Sequence, residues 1–380
     1  AISPPSSLPP AKAIAATSFT SVALLGSQTT FTSQPEGQFA RPGDYVELSA
    51  SAAGSGDFTY QWSRNGILIP GATSDTLTFS SVQTSDAGSY TVTLSDGPNH
   101  VMSAPVPVAV TLPNSDARLA NISARAQVGT GDNVLIVGFV MSGPQTKNVL
   151  LRAVGPGLVS SGLPGLLPRP MLTLYDETRK PVYQNDGWGG DAALTTAFQQ
   201  LNAFALDPND AALLVPLAPG ATTAQIGGVD LTTGLALAEI YDPELASAEG
   251  RLGNLSARAR VGTGADILIA GFIVSGTQPI TVLIRAIGPG LTAAAGISGV
   301  LSRPQLTLFD ANRQPIYTNS GWGGNGTLAA LFPQVGAFPL AIDSADAALV
   351  VTLPPGVYTA QVAGVDGSTG IALVELYQVP

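Results

Sequence analysis

Side chains capable of acid–base or nucleophilic chemistry are scarce in this sequence. The 380 residues contain no cysteine and a single histidine, His100, which follows the turn sequence Asp96-Gly97-Pro98-Asn99. Without cysteine, disulfides, thiolate catalysis and thiolate metal sites are excluded. Neither a G-x-S-x-G nor an H-E-x-x-H motif occurs. We therefore expect a protein that is not an enzyme and that carries no cofactor.

Two short acidic segments offer oxygen atoms of the kind that Ca²⁺ binds. They are Asp207-Pro208-Asn209-Asp210 and Asp343-Ser344-Ala345-Asp346. Neither is a complete ligand loop, and the second lacks the asparagine. The interpretation favoured for these segments is turn capping, and calcium is the weaker alternative. No metal is predicted, and the weak calcium candidates are Asp207, Asp210, Asp343 and Asp346.

Two tryptophans, Trp188 and Trp322, each lie in a Gly-Trp-Gly-Gly sequence. An exposed indole beside asparagine and aspartate could stack on the apolar face of a sugar ring. The alternative, which we favour, is that each indole closes one end of a β-sandwich while the glycines allow close backbone approach.

Arginine and glutamate occur inside apolar strand sequences. Arg152 and Arg285 alternate with aliphatic residues, and Glu239 and Glu375 lie similarly in the last strands of the two repeats described next. A catalytic pair is conceivable, but an Arg–carboxylate clamp that ties strands together is the favoured reading.

The elements that would position these residues occur twice. Arg118–Arg125 returns as Arg251–Arg258 at an offset of 133, and the offset reaches 136 by Gly364-Val365-Asp366. A period this long indicates a duplicated domain. Within each copy, short β-branched segments bounded by Gly or Pro predict antiparallel strands in a sandwich or barrel. One short helix is expected per copy, over Ala192–Leu201 and Leu328–Val335.

The segment before the repeats resembles a bacterial immunoglobulin-like domain. Trp62 stands where such domains carry the core tryptophan, and Asp86-Ala87-Gly88-Ser89-Tyr90 matches the D-x-G-x-Y sequence that leads into strand F. The resemblance implies a sandwich in which Tyr90 forms the tyrosine corner. Val92 occupies the position of the usual cysteine, so no disulfide is expected.

The predicted fold class is all-β, in four parts. These are an extended N-terminal arm (1–28), an Ig-like sandwich (29–112) and two homologous β-sandwich or barrel repeats (113–246 and 247–380). The repeats resemble uncharacterised repeats of secreted and surface proteins from environmental bacteria. A start at Ala1 and the scarcity of lysine favour a secreted bacterial protein. The net charge of −10 argues against nucleic acid, and no apolar run is long enough for membrane insertion.

The arm is the segment with the strongest functional implication. It is surplus to the Ig-like domain and too rich in Pro, Ser and Ala to fold alone. An extended arm of this kind can add to a sheet edge of another subunit. We therefore predict a secreted structural protein that polymerises head to tail with other copies of itself. The alternative is a monomeric adhesin or carbohydrate-binding stalk whose partners are glycans. The assembly residues of the arm are Ala15, Phe19, Val22, Leu24 and Leu25.

Overall fold

The computed structural model describes residues 11–16, 21–25, 29–53, 58–97, 99–112, 116–243 and 251–379. Strands dominate these residues and helices are few and short, so the all-β prediction is confirmed. None of the helices in these ranges is long and apolar enough to cross a membrane. The chain divides into two compact units, Ala1–Val108 and Ala109–Pro380.

The N-terminal arm contains two strands that pair with each other. Strand β1 (Ala11–Ala16) runs antiparallel to β2 (Ser21–Leu25), with Ala15 opposite Val22. The sequence predicts one continuous extended segment from 15 to 25, whereas the structure has a two-stranded hairpin. Among the described residues, this hairpin is a sheet of its own.

The Ig-like domain is built from ten short strands. A five-strand path has the order β4-β12-β10-β7-β8, with β11 paired to β10, and the remaining strands pair as β3-β6 and β5-β9. Alternating burial along β10 shows why this segment forms a strand, since every second side chain faces the core. The strands are β3 (Thr30–Ser33), β4 (Gln38–Ala40), β5 (Val46–Ser49), β6 (Ser51–Ala53), β7 (Thr59–Arg64), β8 (Ile67–Leu68), β9 (Thr76–Phe79), β10 (Gly88–Asp96), β11 (Asn99–Met102) and β12 (Val106–Val110).

The core of this domain has the predicted tryptophan and tyrosine corner. Trp62 is fully buried and its Nε1 donates to the carbonyl of Ser74 at 2.9 Å. Tyr90 is also fully buried, and its hydroxyl donates to the carbonyl of Asp86. Val92 lies opposite Trp62 on the neighbouring strand and is buried, so an aliphatic side chain takes the place of the cysteine.

The two repeats have the same eight strands in the same order, as the 133-residue offset predicts. Helix α1 (Ala192–Gln200) in the first repeat corresponds to α3 (Gly326–Gln334) in the second, which also contains α2 (Pro289–Ala295). The first repeat has β13 (Arg118–Val128), β14 (Leu135–Ser142), β15 (Lys147–Val154), β16 (Pro170–Tyr175), β17 (Pro181–Asn185), β18 (Ala211–Leu217), β19 (Gly220–Gly228) and β20 (Gly234–Tyr241). The second has β21 (Arg251–Val261), β22 (Leu268–Ser275), β23 (Ile280–Ile287), β24 (Pro304–Phe309), β25 (Pro315–Asn319), β26 (Ala347–Leu353), β27 (Gly356–Gly364) and β28 (Gly370–Gln378).

The first strand of each repeat joins the two repeats together. Strand β13 pairs with β20 of its own repeat and with β22 of the other, and β21 pairs with β28 of its own repeat and with β14 of the other. Two eight-strand paths result, β18-β15-β20-β13-β22-β27-β24-β25 and β26-β23-β28-β21-β14-β19-β16-β17. Each path takes four strands from each repeat.

One hydrophobic core serves both repeats. Phe139 of the first repeat and Phe272 of the second belong to the same cluster of buried side chains. The sequence predicts two successive domains, but edge-to-edge pairing of the repeats makes them one compact unit. Because β13 and β21 are each paired on both sides, neither first strand has an exposed hydrogen-bonding edge. The ends of the unit also meet, since Nε2 of Gln378 lies 3.5 Å from the carbonyl oxygen of Ala117.

Candidate functional site

Each repeat buries an arginine against a glutamate on the neighbouring strand. In the second repeat, Nε and Nη2 of Arg285 donate to Oε2 of Glu375 at 2.8 and 2.6 Å. In the first, Nε of Arg152 lies 2.9 Å from Oε2 of Glu239, an ion pair whose angle is not that of a hydrogen bond. The predicted clamp is therefore confirmed in both copies. Strand pairing explains it, because each arginine lies directly opposite its glutamate.

Aromatic rings enclose both ion pairs. The guanidinium carbon of Arg285 lies 4.5 Å from the ring centre of Phe338, and that of Arg152 lies 4.3 Å from the ring centre of Phe204. In each repeat Nη1 of the arginine also donates to the backbone carbonyl of that same phenylalanine. Burial raises the pKa of the Glu239 carboxyl, an effect that the nearby Arg152 charge opposes. A charge pair enclosed in this way holds strands and covering loops together.

The acidic turns bind the backbone of their own domain. The fully buried carboxylate of Asp210 accepts N–H groups of Gly155 at 2.7 Å and Gly157 at 3.1 Å. Asp346 accepts the same donors of the second repeat, Gly288 and Gly290. Burial raises the pKa of the Asp210 carboxyl, against the effect of these N–H donors.

Turn capping thus describes what Asp210 and Asp346 do, and it argues against the calcium reading of both. Their oxygens face N–H donors, which a cation could not replace without breaking these contacts. Asp207 and Asp343 flank the same turns, and the Asp207 carboxylate accepts N–H groups of Asn209. The described residues contain no group of three or more His or acidic side chains placed to hold a metal ion.

Each tryptophan packs against the helix that follows it, Trp188 on α1 and Trp322 on α3. Trp322 is 3% exposed, packs on Phe332 with ring centres 5.6 Å apart and donates Nε1–H to the carbonyl of Ala341. Trp188 is half-buried, packs on Phe198 and donates to the carbonyl of Asp207. Sugar stacking is therefore wrong for Trp322, because its ring faces are occupied.

The arm residues form part of the N-terminal hairpin. Ala15 pairs with Val22, while Leu24 and Leu25 pair with alanines of β1. Phe19 lies outside the described residues. The donor-strand role of these residues stays a prediction.

The outer strands of the repeats differ in their capacity to accept another strand. Among the described residues, β18 pairs only with β15, and β26 only with β23. The amide of Ala348 in β26 donates to Oδ1 of Asn319 and not to β23. Because alternate residues of a strand direct their backbone groups to the same side, Val350 and Thr352 also direct theirs outward.

The first repeat blocks the equivalent edge with a proline. The amide of Ala212 donates to Oδ1 of Asn185, so the outward positions of β18 are 212, 214 and 216. Pro216 has no N–H to offer at the position that corresponds to Thr352. Strand β26 therefore has an apolar edge with neither proline nor charge, which sheet proteins normally avoid.

The first repeat contains a buried ion pair that the sequence does not predict. Nζ of Lys147 lies 2.7 Å from Oδ2 of Asp242, and both side chains are buried. The corresponding residues of the second repeat are Ile280 and Gln378. Only the scarcity of lysine drew attention to Lys147, and nothing in its spacing indicated its partner.

The single histidine lies on the surface of the Ig-like domain. Nδ1 of His100 is 2.8 Å from Oγ of Ser95, directly across the β10–β11 hairpin, and both groups are in an exposed contact. Such a cross-strand pair is an ordinary hairpin contact.

Comparison with known proteins supports the Ig-like assignment. The family model of the immunoglobulin domain matches residues 30–95. No curated protein shows significant sequence similarity to the chain. Among solved structures, a chimeric titin Z1Z2 is 18% identical and covers 23% of this chain and 97% of its own, with a TM-score of 0.21. Sidekick-1 immunoglobulin domains 1–4 are 15% identical, covering 55% of this chain and 45% of their own, with a TM-score of 0.21. At such low scores, these structures carry no argument about function.

Proposed function

We propose that this chain is a non-catalytic structural protein, secreted by a bacterium, that assembles head to tail with other copies of itself. In this assembly the N-terminal hairpin of one copy adds to the open edge of β26 in the next copy. The unblocked β26 edge is the observation that carries the proposal. A contact between unlike surfaces that does not close on itself generates an open filament.

The hairpin needs a partner for stability. An isolated two-stranded hairpin is marginally stable in water, and it becomes stable when further strands extend its sheet. β1 and β2 use one hydrogen-bonding side each for their mutual pairing, so their other sides are available to a third strand.

The edge of β26 supplies what such a hairpin requires. Backbone groups of Val350 and Thr352 point outward, and strand addition would pair them with main-chain groups of the incoming strand. The side chains of both strands are uncharged apart from Lys12, so pairing buries little charge. Low charge across the whole chain, 11% of residues, also suits a surface that neighbours cover.

The test exchanges the single residue that distinguishes the two edges. Thr352→Pro gives β26 the proline of β18. Because the amide of residue 352 points outward, the backbone pairing with β23 is kept, and the hydrogen bond between the hydroxyls of Thr352 and Thr281 is the one lost. We expect wild type to form threads in electron micrographs and a concentration-dependent boundary in sedimentation, while Thr352→Pro and a deletion of residues 1–28 remain monomers. The matched control, Pro216→Thr, should still assemble.

Two results would contradict the proposal. One is a wild-type protein that stays monomeric at every concentration, which would favour the stalk. The other is a folded Thr352→Pro variant that assembles as wild type does, which would exclude β26 as the acceptor. Circular dichroism and protease resistance establish that each variant is folded.

A further inference from the structure

The seventh strands of the two repeats differ strongly in side-chain size at one core position. β19 (GATTAQIGG) and β27 (GVYTAQVAG) align without gaps, and this places Thr222 where the second repeat has Tyr358. Both residues face the core, and each lies opposite the same phenylalanine of the neighbouring strand, Phe139 or Phe272. The backbone pairing at Thr222 is thus the same as at Tyr358, and the two positions differ in their side chains.

Tyr358 fills a defined space in the second repeat. Its ring stacks on Phe272 with centres 5.5 Å apart and planes at 25°. The hydroxyl donates to the carbonyl of Pro354 at 2.9 Å, in the loop before β27. A Cβ atom built on Gly356 would lie 3.4 Å from the Tyr358 hydroxyl oxygen and 3.5 Å from ring carbons, so the ring lies beside this glycine.

The first repeat has a cavity at the equivalent strand and loop, beside Thr222. Thr222 is too short to cover this cavity, which has a volume of about 540 Å³. Its lining includes Ala218 and Gly220, which correspond to Pro354 and Gly356, the residues that contact Tyr358. Leu217, Val182 and Tyr175 supply apolar walls, and Glu177 adds a carboxylate. The volume lies within the usual range of small-molecule sites, roughly 300–1,000 Å³.

We propose that this cavity binds a phenolic ring beside Thr222, the residue that corresponds to Tyr358 of the second repeat. The phenolic hydroxyl would donate to the carbonyl of Ala218, which corresponds to Pro354. The acidic side chains of Asp176 and Glu177 at the cavity favour a neutral or positively charged ligand over an anionic one. The inference is independent of the assembly proposed above, because it concerns a different repeat and a different surface.

The experiment titrates the full chain with three phenols of different charge. Calorimetry measures the affinity, and the NMR signals of Leu217 and Val182 report whether binding occurs at this cavity. We expect tyramine to bind at least as tightly as p-cresol, and 4-hydroxyphenylacetate to bind more weakly. Toluene, which lacks the hydroxyl, should bind several-fold to about tenfold more weakly than p-cresol, since one hydrogen bond is lost. A tyrosine-containing tripeptide tests whether the ring can come from a polypeptide.

Two substitutions locate the site. Thr222→Tyr gives the first repeat the ring of the second, and it should abolish p-cresol binding while preserving the fold. Tyr358→Thr should open a second site, so that two equivalents bind. p-Cresol that fails to bind wild type, or that binds Thr222→Tyr with unchanged affinity, would overturn the proposal. If Thr222→Tyr does not fold, loss of binding in Ala218→Leu, which places a larger side chain in the cavity lining at an exposed position, provides the same test.

Discussion

At the scale of single residues, the buried charges of the two repeats form ion pairs that link neighbouring strands. Removing one member of a buried ion pair leaves the other charge without a partner in an apolar environment. Glu375 has the additional role of accepting the Tyr377 hydroxyl at 2.8 Å. These contacts explain why polar residues are retained in strands whose other side chains are aliphatic.

Glu375→Leu should therefore lower the free energy of unfolding by about 3–5 kcal/mol, because Arg285 remains buried and charged. The double variant Arg285→Met/Glu375→Leu should lose less, since it removes both charges. Urea unfolding monitored by fluorescence measures the difference. Arg303→Met, in the exposed contact with Asp366, is the control and should change little. A single variant as stable as the double variant would contradict the expectation.

The buried hydroxyl of the tyrosine corner makes the stability of the Ig-like domain depend on pH in the alkaline range. Burial raises the pKa of Tyr90 from 10.0 to about 12, with Arg64 opposing the shift. Because the folded state holds this proton more tightly than the unfolded chain, Tyr90 contributes stability below pH 10. That contribution declines as the pH rises from 10 towards 12. The tyrosinate absorbance of wild type minus that of Tyr90→Phe should show a step near pH 12. A step near pH 10 would mean that the hydroxyl is exposed.

Sequence patterns predicted residue roles well where a motif fixes the geometry. Trp62 and Tyr90 belong to a pattern with one structural solution, and the Arg–Glu clamp follows from matching positions in paired strands. Lys147 and Asp242 could not be predicted, since they lie 95 positions apart and only the register of β15 and β20 brings their neighbourhoods together. The space beside Thr222 likewise becomes visible only once the two repeats are compared in three dimensions.

At the scale of elements, the outer strands β18 and β26 differ in whether they contain a proline. Inner strands such as β14 and β22 must keep their apolar alternation, whereas an edge strand can gain or lose a proline without disturbing its pairing. Pro216 and Thr352 are such a difference. In the proposed assembly, this one residue distinguishes the edge that accepts the hairpin from the edge that does not.

The absence of cysteine allows a direct test of which elements meet. Ala23→Cys in β2 and Thr352→Cys in β26 each introduce the only thiol of the molecule. Mixed under mild oxidation, the two single variants should form a heterodimeric disulfide faster than either forms a homodimer. Ser95→Cys, on the exposed face of β10, replaces Thr352→Cys as the control. Equal rates in both mixtures would show that the hairpin has no preference for β26.

Strands and helices were predictable for most of their length. The predicted helix Ala192–Leu201 matches α1 to within one residue, because Asp191 caps its start and its apolar residues follow the helical period. The pairing of β1 with β2 was not anticipated, because the two short strand segments lack the strong turn signals that identify a hairpin. Local sequence also does not reveal which strands pair across repeats.

At the scale of the whole molecule, the two repeats depend on each other. Each contributes four strands to both eight-strand paths, and the buried core is common to both. Separating them would expose the hydrogen-bonding edges of β13 and β21 together with apolar surface. The unfolding of the repeat unit should accordingly be a single cooperative process.

Cleavage of the connection between the repeats tests this dependence. A specific protease site inserted between Ala246 and Ser247 allows the chain to be cut after it has folded. Both fragments should elute together in size-exclusion chromatography under native conditions and separate only in denaturant. Fragments that elute separately without denaturant would mean that the paired edges contribute little to cohesion.

The proximity of Ala117 to Gln378 has a consequence for how this unit can be used. A unit whose two ends lie close together can be inserted into a loop of an unrelated protein, because the two insertion points in that loop need not move far apart. For the same reason the order of the strands along the gene can be rotated: a brief linker across the gap and fresh termini within 244–250 would keep every pairing intact. The fold of the repeat unit therefore need not depend on which connection between strands carries the two chain ends.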